Sequence, residues 1–451
     1  MAPPSDDDPS DDETGPRFQK SGRLGRFVKM GGLAASITAD TVKKRIGSAF
    51  QNEEQKAASA RDLVTDSAQK MVRTMGEMKG AAMKVGQMLS VSPGAMPKEL
   101  MDELKSLQKD SPPMPYEMVA KEIEKGLGRS LVDAFRFFDP KPLGAASIGQ
   151  VHEAKLFDGR RVAVKVQYPG IADTLESDLK NIYTMMQMGR VVAEKAHLDA
   201  VFEELRKGIL EEADYLKEAD NLRKYGAILR EHPRIVVPDV IDELSTQTVL
   251  TMTYLEGTKL DEALEKMPEE QKNQVARDFS ETFVWMFHER QIIHADPHPG
   301  NYLWMPDGQI GFLDFGCFRE FDPDFTDHFL GVLVAKWTHK KAALRPLHDA
   351  MGFKAMHGSA GLTNQQLDEL TDIVLSPFLY DREFDWGEWE PQKPLEAYVK
   401  ANLGMLKYAA PAQSIFYFRV CAGIWGFLKR CRAKGNWFLV AQAMAKKRQL
   451  M

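Results

Sequence analysis

Apolar residues recur at helical spacing through most of this chain and at strand spacing in only a few short segments. Residues 1–16 show neither period: they are Pro, Ser and acid, too polar to bury a core, and read as a disordered acidic tail. Residues 17–110 read as a helical extension. Within it, 53–90 form one long helix or two, rich in Ala, Met, Lys and Glu and punctuated by Pro93 and Pro97. Leu100, Leu104 and Leu107 carry the pattern to a linker, Ser111-Pro-Pro-Met-Pro115. A short helix from Tyr116 to Leu127 and an apolar run from Ala134 to Phe138 follow. Alternating runs over 150–156 and 161–168, joined at Asp158-Gly159, predict a β-hairpin. A charged helical stretch covers roughly 173–229, and strands return near 234–237 and 247–254. Beyond Gly257 the pattern is helical, apart from short strands at 302–305 and 309–313. The expectation is a small mixed β/α part over 111–255 and a larger helical part over 256–451, without an internal repeat.

The length of 451 residues allows two to three domains, and 43% hydrophobic with 27% charged residues is the balance of a globular protein. Of the net charge of −6, the tail supplies six acids (Asp6, Asp7, Asp8, Asp11, Asp12 and Glu13), leaving 59 basic and 59 acidic residues. No broad nucleic-acid-binding face is expected from that balance, and nucleic acid is not expected as a partner. Cys317, Cys421 and Cys431 are too far apart for a metal cluster or a disulfide framework, which suits a reducing cytoplasm.

Membrane signals are weak. The start has no basic, then apolar, signal pattern, and no run approaches eighteen uninterrupted apolar residues. Met30 to Ala39 is short and rich in small residues, and Ile415 to Leu428 is interrupted by Arg419 and followed by Lys429-Arg430. Arg17, Lys20, Arg23, Arg26 and Lys29 interleave with Leu24, Phe27, Leu33 and Ile37. That is either a solvated basic helix face or a surface for an anionic membrane.

The chemistry is concentrated in His294-Ala-Asp-Pro-His-Pro-Gly-Asn301 and Asp314-Phe315-Gly316. Asp296, Asn301 and Asp314 stand in the order of a kinase-type phosphoryl-transfer site. Asp296 would orient an acceptor hydroxyl or water and take its proton, while Asn301 and Asp314 would hold Mg²⁺ against the phosphates of ATP. His294 is expected to brace the loop. His298 lacks nearby cysteine or a second suitably spaced histidine and is expected to have a loop role.

Upstream, Gly144-Ala-Ala-Ser-Ile-Gly149-Gln-Val151 has the frame of the kinase nucleotide loop, with Ala146 at its middle glycine. Ala145, Ala146, Ser147, Gly149 and Val151 are the expected nucleotide-binding positions, with altered phosphate contact because alanine limits backbone approach. Lys165, in Val162-Ala-Val-Lys165, follows that loop by a hairpin's length and is the expected phosphate lysine. Its carboxylate partner must lie on a helix, and spacing does not rank Glu212, Asp214 and Glu218. After Asp314-Phe315-Gly316 the chain leads quickly into a helix over 325–337, with no Ala-Pro-Glu and little room for a phosphorylated activation loop. That favours a non-peptide acceptor or hydrolysis.

With these motifs the chain resembles the UbiB/ADCK atypical kinases, which are linked to ubiquinone biosynthesis in bacteria and mitochondria. The resemblance runs from about Arg23 to the C-terminal region. It rests on Lys84-Val-Gly-Gln87, the alanine-rich loop, Val164-Lys165-Val-Gln-Tyr-Pro-Gly170, Glu212-Ala-Asp214, and the two catalytic runs. It implies a two-lobed, protein-kinase-like α+β fold with a helical N-terminal extension folded over the active site. It also implies that Lys84 and Gln87 are regulatory, that Glu212 and Asp214 partner Lys84, and that Glu218 pairs with Lys165. The loop departs from several relatives in having Gly144 where they carry a further alanine. The implied activity is Mg-ATP-dependent ATPase or small-molecule kinase action supporting prenylquinone biosynthesis or lipid homeostasis. Expected partners are nucleotide, an anionic lipid surface, and a quinone precursor or quinone-biosynthesis enzymes, for a cytoplasmic protein peripheral on the inner membrane. The competing readings are a nucleotide-gated scaffold or lipid chaperone with little turnover, and a protein kinase.

Overall fold

The structure, a computed structural model, describes residues 114–451 apart from 147, 189–194, 357–359, 403 and 406–407. The acidic tail, the extension over 17–110 with Lys84 and Gln87, and Ser147 lie outside the described residues.

Helix α1 (Tyr116–Leu127) buries Val119 and Ile123, four apart on one face. It ends at Gly128, whose φ of 67° is the left-handed cap that glycine adopts without strain. Strands β1 (Phe137–Ala146), β2 (Gly149–Lys155), β3 (Arg161–Gln167) and β5 (Val249–Thr253) form an antiparallel sheet in the order β1-β2-β3-β5. Alternation along β3 decides what each face does. Val162, Val164 and Val166 are fully buried in one cluster with Val119 and Ile123 of α1, which leaves Lys165 on the opposite face. The expected hairpin turn is present, with Gly159 at φ 91° and its N–H donating to the Leu156 carbonyl at 3.1 Å.

The charged stretch divides into α2 (Ile171–Met188), α3 (Lys195–Glu212) and α4 (Tyr215–Leu229). The break before α4 is an N-cap. The Asp214 carboxylate accepts from the backbone N–H of Leu216 at 3.1 Å and of Lys217 at 3.4 Å. Glu218, Leu222, Tyr225 and Leu229 then form one buried stripe at helical spacing.

A second sheet has the order β4-β9-β8-β6, from β4 (Ile235–Val236), β6 (Thr258–Lys259), β8 (Tyr302–Trp304) and β9 (Ile310–Phe312). The strand expected near 234–237 thus leaves the first sheet and pairs in parallel with β9. Beside it, β7 (Ile292–His294) pairs antiparallel with β10 (Phe318–Glu320), with His294 opposite Phe318. Only two strands were expected beyond Gly257; β6, β7 and β10 correct that, as do four further two-residue strands, Lys354–Ala355, Phe384–Asp385, Tyr408–Ala409 and Lys434–Gly435. They are two or three residues long, too short for a period of two to register.

The helices of this part are α5 (Leu260–Lys266), α6 (Glu269–Glu289), α7 (Pro323–Trp337), α8 (Leu344–Ala350), α9 (Asn364–Val374), α10 (Gln392–Ala401), α11 (Ser414–Arg430) and α12 (Trp437–Lys447). The core beneath the catalytic loop is aromatic. The Phe279 ring of α6 lies 4.8 Å from that of Tyr302 and 4.7 Å from that of Phe427 in α11. Among the described residues no helix is long and apolar enough to cross a membrane.

Candidate functional site

A cavity of about 830 Å³ lies between the two sheets, within the roughly 300–1,000 Å³ of small-molecule sites. Its roof is the β1–β2 hairpin, from which Gly144, Ala145, Ala146 and Val151 reach the lining. Ala146 pairs with Gly149 and Gly144 with Val151, so the loop is the tip of a regular hairpin. None of Gly144, Ala145, Ala146 and Gly149 has positive φ, and alanine fits the extended backbone without strain. Gly149 is glycine for space: a Cβ there would lie 2.2 Å from the Val166 carbonyl oxygen.

Lys165 projects from β3 and is 4% exposed. Its Nζ donates to both Glu218 oxygens, at 2.7 and 2.9 Å, and stands 3.3 Å from Asp314 Oδ2. Of the three carboxylates that spacing left unranked, Glu218 is therefore the one on Lys165. Burial works against the ammonium, but Asp314 and Glu218 outweigh it and raise the Lys165 pKa well above the usual lysine value. Burial, with the charge of Asp314, pushes the Glu218 carboxyl up to about 7 against the pull of Lys165.

Glu218 also accepts from the Phe315 backbone N–H at 3.3 Å, and Asn221, one turn on, donates to the Phe315 carbonyl at 2.9 Å. Helix α4 thereby grips both backbone groups of the residue after Asp314. Glu212 is buried and lines the cavity, close to Gly316: a Cβ on that glycine would lie 3.1 Å from Glu212 Cγ. Asp214 is occupied as the N-cap of α4.

The catalytic loop and Asp314 lie between two short ladders. The Ala295 N–H donates to the Cys317 carbonyl at 2.7 Å, continuing β7–β10, and the Leu313 N–H donates to the Asn301 carbonyl at 3.0 Å, continuing β8–β9. Asn301 Nδ2 donates to the Asp296 carbonyl at 3.1 Å, which leaves its amide oxygen for another partner. His294 is fully buried, hydrogen-bonded to the Tyr302 hydroxyl and stacked on Phe318 at 5.0 Å. Burial, with the charges of Asp296 and Asp314, raises the Tyr302 pKa well above its usual value, so the hydroxyl keeps its proton. His298 caps the short turn Pro299–Asn301, its Nδ1 accepting from the Gly300 N–H at 3.1 Å. Both histidines are occupied in shaping the loop.

The residue that sequence reasoning missed is Arg419. It interrupted an apolar helix and read as a mark against membrane insertion. It is buried in α11, and its guanidinium donates to Asp296 Oδ1 at 2.5 Å. One turn on, Gly423 lets the loop approach: a Cβ there would sit 2.6 Å from Pro297 Cγ. A basic residue and a glycine four apart on an apolar helix was the available signal. Behind Asp314, Arg319 ties β10 to α3 through Glu211 at 3.2 Å and lies 4.4 Å over the Phe416 ring. The post-Asp314 segment is therefore fixed by fold contacts, and α7 begins within ten residues of it.

Comparison with known proteins agrees with the kinase-like fold. Residues 106–347 match the ABC1 atypical kinase-like domain. Over 417 residues the chain is 26% identical to the atypical kinase COQ8B, mitochondrial, of Danio rerio, covering 91% of this chain and 66% of that protein. It is 30% identical over 346 residues to the atypical kinase coq-8, mitochondrial, of Caenorhabditis elegans, covering 73% of this chain and 45% of that protein. The chain thus spans between 45% and 66% of the length of these two relatives. Among solved structures, the Rv3197–erythromycin complex from Mycobacterium tuberculosis superposes with a TM-score of 0.59 at 28% identity, covering 86% of this chain and 98% of that one.

Proposed function

The chain belongs to the ABC1 atypical kinase-like family, and on that premise we propose that it binds Mg-ATP and either hydrolyses it or phosphorylates a small molecule, in support of prenylquinone biosynthesis at a membrane surface. The observation that carries this reading is one cavity lined by Lys165, Asp314, Asn301 and Asp296, with Glu218 paired to Lys165. Lys165, held by Glu218, would reach the α- and β-phosphates beneath Ala145, Ala146 and Gly149, and Ser147 belongs to the same nucleotide-binding proposal. Asp296 would orient the acceptor oxygen and take its proton.

The residues fit the metal. Mg²⁺ takes few protein oxygens and keeps phosphate and water ligands. Here the Asp314 carboxylate and the Asn301 amide oxygen are the candidate ligands, and no group of three or more His, Cys, Asp or Glu suited to a metal occurs among the described residues. When bound, Mg²⁺ would neutralise phosphate charge.

The acceptor reading rests on the short path from Asp314 to α7. With no extended segment there to dock a peptide, a small molecule or water is favoured over a protein substrate. The quinone reading rests on the resemblance to the UbiB/ADCK kinases and on the relatives named COQ8. Lys84 and Gln87, with Glu212 and Asp214, belong to the same proposal as the family's regulatory set. A nucleotide-gated scaffold is the second reading, because the buried Arg419 guanidinium occupies Asp296 and opposes its action as a base.

The test is Mg²⁺-dependent ATP hydrolysis by purified protein, with and without liposomes of anionic lipid, beside Asp296→Asn. Turnover that lipid stimulates and the variant loses supports the enzyme. Tight binding with no turnover under either condition, and no transfer to small-molecule phenols or prenylated precursors, moves the reading to the scaffold.

A further inference from the structure

Two polar side chains lie in the apolar core behind the cavity roof. Gln150 and His152 of β2 are fully buried and stand opposite Val166 and Val164 of β3. The Met114 N–H donates to Gln150 Oε1 at 2.7 Å, and Gln150 Nε2 donates back to the Met114 carbonyl at 3.3 Å, as a neighbouring strand would. Gln150 Nε2 also meets His152 Nε2 at 2.8 Å, and His152 Nδ1 meets the Asp139 carbonyl at 2.8 Å. A carbonyl only accepts, so Nδ1 carries the ring proton and Nε2 accepts from Gln150. Burial lowers the His152 pKa, which keeps the ring neutral in that tautomer. Reversing the Gln150 amide would set donor against donor at the Met114 N–H and acceptor against acceptor at its carbonyl. The relay from Met114 to Asp139 therefore has one arrangement.

Both ends of the relay are places where the backbone is short of donors. Met114 stands in Ser111-Pro-Pro-Met-Pro115, where its N–H is the only backbone donor from 112 to 115. It directly precedes α1 and its cap Pro115, and residues 17–110 join the sheet through it. Asp139 lies where β1 loses register. Between Phe138 opposite Ala154 and Pro142 opposite His152, β1 carries two residues more than β2, and Pro140 and Pro142 donate no N–H there. From that bulge the strand continues to Leu143, Gly144, Ala145 and Ala146, which roof the cavity. A satisfied polar pair in a core adds little stability over an apolar pair of the same shape. What it adds is a single geometry: the roof and the chain at Met114 move together or break a buried hydrogen bond.

We propose that Gln150 and His152 are positioning residues that couple the cavity roof to Met114, so that nucleotide bound under the roof fixes the point where residues 17–110 join the sheet. The inference rests on the nucleotide reading of the cavity. Coupling of this kind is reciprocal, so loosening Met114 weakens nucleotide binding.

The test is amide hydrogen exchange and titration with Mg-ATP on the full chain, Gln150→Met and His152→Gln. Because residues 112, 113 and 115 are proline, exchange across them reads the Met114 N–H alone. In the wild type ATP should slow that exchange about fivefold or more, the scale of coupling between two sites. Gln150→Met should exchange fast at Met114 with or without ATP and bind ATP about fivefold more weakly. His152→Gln keeps an amide oxygen for Gln150 but releases Asp139. Its exchange at Met114 without ATP should stay within about twofold of wild type, and ATP should no longer slow it; this variant decides the matter if Gln150→Met does not fold. Wild-type protein that binds ATP with unchanged exchange at Met114 overturns the proposal. So does slowing that persists in His152→Gln, which makes Gln150 a fastener of α1 alone. Both outcomes leave the nucleotide reading standing, whereas a wild type that binds no ATP removes that reading and this inference with it.

Discussion

Lys165 is the residue on which the site converges, and its two carboxylates differ in what their loss would do. Glu218 is 1% exposed and touches Lys165 with both oxygens, so Glu218→Ala leaves a buried ammonium with Asp314 alone. Denaturant unfolding should show a loss of about 3–5 kcal/mol, the cost of breaking a buried pair from one side. Arg419 makes a different prediction. Arg419→Met removes the guanidinium that fixes Asp296, so turnover should fall about tenfold to a hundredfold while ATP affinity stays within about twofold. If kcat rises instead, the guanidinium is a brake on Asp296 and the scaffold reading gains. Lys165, Asp296, Asn301 and Asp314 were legible because kinase chemistry orders them along the chain. Arg419 was not, because its partner lies 123 residues away and only folding brings them together. Asn221 was hidden in the same way, 94 residues from the carbonyl it binds.

At the level of elements, α11 carries a matched pair of glycines. Gly423 faces Pro297 of the catalytic loop at a distance that excludes a Cβ, whereas a Cβ at Gly426 would meet nothing within 4 Å among the described residues. Gly423→Ala should cost about 1–3 kcal/mol in stability through overpacking and lower turnover as the loop shifts. Gly426→Ala should be neutral or gain up to about 1 kcal/mol from helix propensity. Thermal melts and steady-state assays of the two variants side by side check this; equal behaviour would mean that α11 does not support the loop. The hairpin β2–β3 and helix α1 were legible because each shows its period over a full element. The ladders that pin the catalytic loop were not. Their order follows from distant pairings such as His294 with Phe318, and the pairing of β4 with β9 left no local trace.

For the molecule as a whole, acid should be more damaging than the net charge implies. Burial lowers the pKa of His288 from 6.5 to about 3. The folded state then binds fewer protons than the unfolded state between those values. The stability His288 supplies is complete above about pH 6.5 and is lost as pH falls towards 3. Melting temperature should decline from pH 7 to pH 5, and the decline should be shallower in His288→Gln; an unchanged slope would assign the acid limb to other groups. The change from a mixed β/α part to a helical part near Gly257 was expected from the pattern, and the two-lobed architecture was implied by the resemblance to the UbiB/ADCK kinases. The passage of 235–236 into the second sheet was not, since a two-residue strand reveals no partner.

The most direct test of the central claim is calorimetric titration of ATP into the wild type and Asp314→Asn, each with Mg²⁺ and with EDTA. The wild type should bind ATP at least tenfold more tightly with Mg²⁺, and Asp314→Asn should lose that difference. Tight, Mg²⁺-dependent binding by Asp314→Asn would contradict the assignment of Asp314 and of the cavity as a Mg-ATP site.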